Sequence, residues 1–194
     1  ISLVQKYNTP FHVAHLSTAQ GIGLVKAAKE DGLPITCEVA PHHLFLSIED
    51  YKELGTLGKM NPPLRSSLDQ QALWKGIEDG TVDCIATDHA PHTLEEKQVT
   101  PPMSAPSGVP GVETMLPLLL TAASGKWEDR KITIEQIKKL CFENPNRIFN
   151  LGRSDTEIIE VDLDAEWTIH AKELHSQCDW TPFEGWEVVG KVVS

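Results

Sequence analysis

Three short apolar runs alternate with capped helical segments in the first half of the chain, and this alternation restricts the fold more than any other feature. Phe11-His12-Val13-Ala14-His15-Leu16, residues 34–40 and residues 82–87 read as buried strands. After the first, Ser17 with Gln20 forms an S-x-x-Q capping box that opens a helix. That helix carries Ile22, Val25 and Ala28 on one face and stops at Gly32. Residues 47–54 read as a short capped helix closed by Gly55; Ser67 with Gln70 opens another, with Leu68, Leu73 and Ile77 inward. Strands alternating with helices predict βα units and a parallel sheet. Chemistry in such sheets gathers at the C-terminal ends of the strands. Those ends fall near His15, Ala40 and Asp88, and six of the eight histidines lie between positions 12 and 92.

Beyond the third strand the pattern changes. Residues 89–112 are polar and rich in proline and glycine, a length that reads as a lid or binding loop, with 93–103 its mobile part. A nearly all-apolar helix is expected over 113–123. Thr133 with Gln136 opens another running to about 142, and a short helical turn follows at 145–149. From 154 onward there are ten acidic residues against two basic ones, and Trp167, Trp180 and Trp186 fall among alternating, strand-like stretches. The expected division is therefore 1–152 for the βα part and 153–194 for part of a small β-domain. Residues 1–6 read as the tail of a helix and 187–194 as an interrupted strand, so the chain reads as part of something longer. A formal net charge of −11 argues against nucleic acid or an anionic membrane as partner. No apolar run approaches 18 residues, which argues against a membrane span. Four cysteines without C-x-x-C spacing fit free thiols and a cytoplasmic location.

Two residues stand out for chemistry. His15 ends the first strand and Asp88 the third, 73 residues on. An imidazole and a carboxylate at strand ends form a metal-site pattern, and the carboxylate is also placed for acid/base work. Singly, each has a bland reading: a hydrogen-bonded core histidine, and a turn residue in Asp88-His89-Ala90-Pro91. Together they favour a site. His92, four residues beyond Asp88, is placed to touch a ligand. In Asn61-Pro62-Pro63-Leu64-Arg65, two prolines pre-organise an amide that both donates and accepts, although a plain rigid turn explains the same residues. His42 and His43 read chiefly as polar lining, His12 as core, and His170 and His175 as surface.

His12-Val-Ala-His15-Leu-Ser-Thr18, Glu38-Val-Ala-Pro-His-His-Leu44, Asn61-Pro-Pro-Leu-Arg65, Asp83-Cys-Ile-Ala-Thr-Asp88-His-Ala-Pro-His92-Thr-Leu-Glu-Glu-Lys97 and Ser107-Gly-Val-Pro-Gly-Val-Glu-Thr114 resemble dihydroorotases of the amidohydrolase superfamily. The tail looks most like dihydroorotases found in, or associated with, multifunctional pyrimidine-synthesis complexes. The resemblance implies an α/β fold, the C-terminal part of a (β/α)8 TIM barrel plus part of a flanking β-domain. It implies one or two zinc ions and reversible cyclisation of N-carbamoyl-L-aspartate to dihydroorotate. Carried over by position, His15 and Asp88 are metal ligands, Asp88 is also the catalytic acid/base, and Asn61, His92, Ser107 and Gly108 contact substrate. The family's H-x-H, its bridging Lys or Asp, a further histidine and a carboxylate-gripping arginine have no counterpart in this sequence. The three strands match the sixth to eighth of the barrel, so the 194 residues alone are expected to be inactive. The implied partners are the small-molecule substrate, the N-terminal part of the barrel, and a second copy or aspartate transcarbamoylase. Allantoinase or hydantoinase activity, and an inactive scaffold for aspartate transcarbamoylase, are the competing readings; Asn61 and the loop from His92 to Lys97 favour dihydroorotase.

Overall fold

A computed structural model describes residues 1–154 and 156–193. Three parallel strands form the central sheet: β1 (Phe11–Val13), β2 (Ile35–Val39) and β3 (Cys84–Ile85), in the order β1-β2-β3. Phe11 pairs with Ile35 and Val13 with Cys37, while Glu38 pairs with Cys84 and Val39 with Ile85. The strands are shorter than the apolar runs, the second and third at both ends. Single bonds continue the ladder: the Leu16 amide donates to the Glu38 carbonyl and the Ala86 amide to that of Val39. Below the sheet, one Asp83 carboxylate oxygen accepts from the Cys37 amide and from Lys29 Nζ, tying β2 and β3 to the first long helix.

The helices follow the expected boundaries with local shifts. After α1 (Ser2–Tyr7), α2 (Ala19–Glu30) buries Ile22, Val25 and Ala28 as its periodicity requires. Its cap is Thr18, whose hydroxyl accepts from the Gly21 amide; Ser17 is instead buried and faces Arg65 Nε. A short helix, α3 (Pro41–Phe45), not apparent in the sequence, starts with proline at its first position, where a missing N–H costs nothing. A 3₁₀ turn capped by Ser47 leads into α4 (Tyr51–Leu54), which closes at Gly55. In α5 (Ser67–Glu78) the cap is Ser66, one residue before the expected Ser67; Leu68, expected inward, is 72% exposed, while Leu73, Trp74 and Ile77 are buried. α2 packs on α5.

The loop expected to be mobile is partly structured. Thr93 and Glu96 form a reciprocal capping box around the single turn α6 (Leu94–Lys97), and a lone bridge joins His89 to Val109. α7 (Met115–Ser124) is buried along 117–122 and closes at Gly125. α8 (Ile134–Lys138) begins at the expected Thr133 capping box and passes through a π-helical turn into α9 (Asn144–Ile148). The tail forms a two-stranded antiparallel sheet, β4 (Val161–Thr168) with β5 (Glu187–Val192), and β5 packs on α7. Thr121 Oγ1 joins them by accepting from the Val189 amide. Apolar burial supplies the cohesion, at about 25 cal/mol per Å². Cys37, Val39, Leu44, Leu73, Leu118 and Leu119 are fully enclosed between sheet and helices. All four cysteines are free, and burial pushes the Cys84 thiol up to about 12. No helix among the described residues is long and apolar enough to cross a membrane.

Candidate functional site

His15 and Asp88 follow β1 and β3, the two strands that flank β2. Both depart from the strand with positive φ, 35° and 46°. For residues with a side chain this left-handed geometry is uncommon, and it clusters at functional sites because surrounding structure must enforce it. Here it turns the side chains off the sheet edge. Since β2 lies between, the histidines that follow it occupy the gap. His42 and His43 are 2% and 3% exposed, and His42 Nε2 lies 4.0 Å from the Asp88 carboxylate. The electrostatic environment of His43 includes both His15 and Asp88, which places all four residues around one region.

The polar accounting of this cluster is incomplete in a specific way. Among the described residues, His15 Nδ1, His42 Nε2 and His43 Nδ1 are buried without a hydrogen-bond partner, whereas His43 Nε2 is 2.9 Å from the Pro62 carbonyl. Buried polar atoms are normally paired, so orphaned ones signal a missing ligand. Burial, reinforced by His43 and His15 alongside, pushes His42 down to about 3, and burial likewise lowers His43. Neutral imidazole nitrogens beside an unpaired carboxylate suit a divalent ion of the zinc type. Among the described residues, however, no group of three or more His, Cys, Asp or Glu side chains is disposed to hold a metal. The donors fit a metal, but as part of a set.

The remaining expected residues lie on loops, and only the one that carries Asn61 has a hydrogen bond to the histidine cluster among the described contacts. Asn61 is exposed, and its carbonyl side leads into Pro62, the acceptor for His43. His92 is half-buried, with Nδ1 3.5 Å from Glu96 Oε2, and its carbonyl accepts from Trp180 Nε1 at 2.6 Å. Ser107 is exposed and Gly108 buried at a φ of 135°; a Cβ there would lie 2.6 Å from the Ala90 carbonyl oxygen. Gly108→Ala in the full-length protein is therefore expected to cost about 1–3 kcal/mol of stability. Thermal unfolding would show it, and an unchanged midpoint would mean the loop yields freely. His12 is satisfied by Thr36 and Glu38, as a core histidine should be. His89 Nδ1 accepts from the Gly111 amide, and His170 and His175 pair with Glu184 and Glu113 at the surface.

Sequence reasoning passed over Lys97 and Trp180, which underlie these loops. Lys97 is fully buried and its Nζ donates to the carbonyls of Lys59, Pro106 and Gly108. Burial, with Lys59 nearby, pushes it down to about 8. The T-x-x-E capping signature at Thr93 was the available signal that this stretch is ordered.

No family model matches the chain. Over 99% of its length it is 44% identical to a multifunctional protein CAD from Squalus acanthias, of which it spans 8%. Over 90% of its length it is 48% identical to a dihydroorotase from Halobacterium salinarum, of which it spans 40%. The chain thus spans less than half the length of the relatives it matches. Among solved structures it superposes on L-hydantoinase (dihydropyrimidinase) from Arthrobacter aurescens with a TM-score of 0.90 and 28% identity, covering 99% of this chain and 44% of that one. An inactive dihydroorotase-like domain of a Chaetomium thermophilum CAD-like multifunctional protein gives 0.74 and 27%, covering 98% of this chain and 50% of that one. These likenesses show the fold: the three-stranded sheet is part of a (β/α)8 barrel.

Proposed function

We infer that this chain, related over nearly its whole length to dihydroorotases, is the C-terminal portion of one, and that the full protein opens dihydroorotate to N-carbamoyl-L-aspartate and closes it again. Residues 1–152 then supply the last part of the barrel and 153–194 part of the flanking β-domain. The observation that carries this reading is the 48% identity to a dihydroorotase across 90% of the chain. The Asp88 carboxylate beside His42, with buried histidine nitrogens that lack hydrogen-bond partners among the described residues, supports it from the structure.

His15 and Asp88 would hold zinc, with further ligands from outside these residues. When bound, the ion supplies Lewis-acid activation of water and of the ring carbonyl. The Asp88 carboxylate takes a proton from the attacking water and returns it to the ring nitrogen as the amide C–N bond opens. In ring closure the same carboxylate takes the proton from the carbamoyl nitrogen as it bonds to the carboxyl carbon, and gives it to the departing oxygen, which leaves as water. Asn61 and His92 orient the ring by hydrogen bonds, and the main chain at Ser107 and Gly108 borders it. A substrate binding site built from four loop positions works only if they are held in register. The protein would act in the cytoplasm, with a second copy or aspartate transcarbamoylase as its partners.

The structural likeness to hydantoinases sustains one competing reading, since they share the barrel. The likeness to an inactive dihydroorotase-like domain sustains another. A substrate panel on the zinc-loaded full-length protein separates all three. Dihydroorotate is expected to be opened at least about tenfold better in kcat/KM than hydantoin, dihydrouracil or allantoin, a margin below what a site built to hydrogen-bond its substrate can reach. Preference for hydantoin, or no turnover of any ring, would overturn the reading.

A further inference from the structure

Lys97 is fully buried, and among the described residues it has no carboxylate partner. Its ammonium instead donates to three main-chain carbonyls: Lys59 at 2.7 Å, Gly108 at 2.9 Å and Pro106 at 3.0 Å. Burying a charge is costly unless every proton finds an acceptor, and an ammonium has three protons in a tetrahedral fan. Here all three point to backbone oxygens, and those oxygens belong to two other loops. Adjacent contacts lock the same segments together. The Gly108 amide donates to the Lys59 carbonyl at 3.0 Å, and the Ala90 amide donates to the Val109 carbonyl at 3.0 Å. Lys59 Nζ reaches back to the carbonyls of Met103 and Ala105. From the tail, the Trp180 ring lies 5.6 Å from Lys97 Nζ while its N–H bonds to the His92 carbonyl.

We propose that Lys97 is a positioning residue for the substrate. Its ammonium binds the segments carrying Asn61, His92 and the Ser107–Gly108 pair into one frame. The groups that orient the ring are thereby held relative to one another before substrate arrives. The proposal rests on the dihydroorotase reading for its substrate, and on the hydrogen bonds alone for the frame. It explains why a lysine occupies this point. A guanidinium is planar and cannot fan to three converging carbonyls, and an apolar side chain would take this donor from the Gly108 and Pro106 carbonyls and leave the Lys59 carbonyl only the Gly108 amide.

The test uses Lys97→Met and Lys97→Gln in the zinc-loaded full-length protein, with metal content measured alongside kinetics. For Lys97→Met, KM for dihydroorotate is expected to rise by up to about 100-fold, the scale of losing one or two polar contacts that hold substrate and transition state alike. The zinc content should be unchanged and kcat should fall far less. Lys97→Gln, which keeps two N–H donors, should fall between. Lys97→Arg keeps the charge but should not restore KM. A wild-type KM in either the Met or the Gln variant overturns the proposal. So does a loss traceable to zinc, or failure of both to fold, which would make Lys97 a folding residue. Hydrogen exchange supplies the arm that does not depend on the reaction. The amides of Ala90, Gly108 and residues 59–61 should lose protection together in Lys97→Met. If the wild-type protein opens no dihydroorotate, the functional reading fails and this arm still judges the frame: lost protection confined to the turn at Lys97 would sink it.

Discussion

Asp88→Asn in the full-length, zinc-replete protein is expected to lower ring-opening turnover by about 10²–10⁴-fold, the usual contribution of a positioned acid/base. The substitution is informative because it spares the fold. Asparagine matches aspartate in size, and it tolerates the left-handed backbone that Asp88 adopts at a φ of 46°. What it removes is the carboxylate that faces His42 Nε2 at 4.0 Å without a hydrogen-bond partner among the described residues. An amide there neither accepts the proton of water nor delivers one to a leaving nitrogen. Steady-state kinetics with zinc content measured on the same sample decides the matter. Near-normal turnover at full metal occupancy would remove Asp88 from proton transfer and leave it, at most, a ligand.

The second large effect is all or none. The 194 residues expressed alone are expected to show no dihydroorotate turnover with zinc added, and to self-associate. Two observations lead there. The candidate site gathers fewer ligand groups than a metal needs. The parallel sheet also ends at β1 on one side and β3 on the other, leaving unpaired strand edges among the described residues. Open edges template association with other chains, and Phe11 on β1 is 54% exposed. Size-exclusion chromatography combined with a ring-opening assay tests both parts. A soluble monomer with turnover would place the chemistry on His15, His42, His43, Asp88 and His92 alone.

Much of the fold was legible because the signals that specify it are local. The Thr133–Gln136 capping box, the Gly55 stop, and the Ile22-Val25-Ala28 stripe each depend on residues within a turn or two. They appear in the structure where they were read. The errors were also local and small. Ser17 and Ser67 each lie one residue from the true caps, Thr18 and Ser66, since runs of Ser and Thr offer competing hydroxyls. Leu68 was a separate misreading of the period: at 100° per residue it lies about 140° from Leu73 and about 180° from Ile77, so it faces away from the buried side.

The sequence by itself determined that βα units would carry His15 and Asp88 to strand ends, and it carried the motifs that relate the chain to dihydroorotases. Strand order was implied only through that resemblance, by the match to the sixth to eighth barrel strands. Only the tertiary structure decided that the buried His42 lies beside Asp88, and that nitrogens of His15, His42 and His43 have no hydrogen-bond partner among the described residues. Only it placed Lys97 against carbonyls 38, 11 and 9 residues away in the chain. The reason is physical: caps and periodicities are satisfied within a few residues. A buried ammonium is satisfied by whichever carbonyls the finished fold brings around it, and backbone oxygens leave no mark in the identity of the residues that bear them.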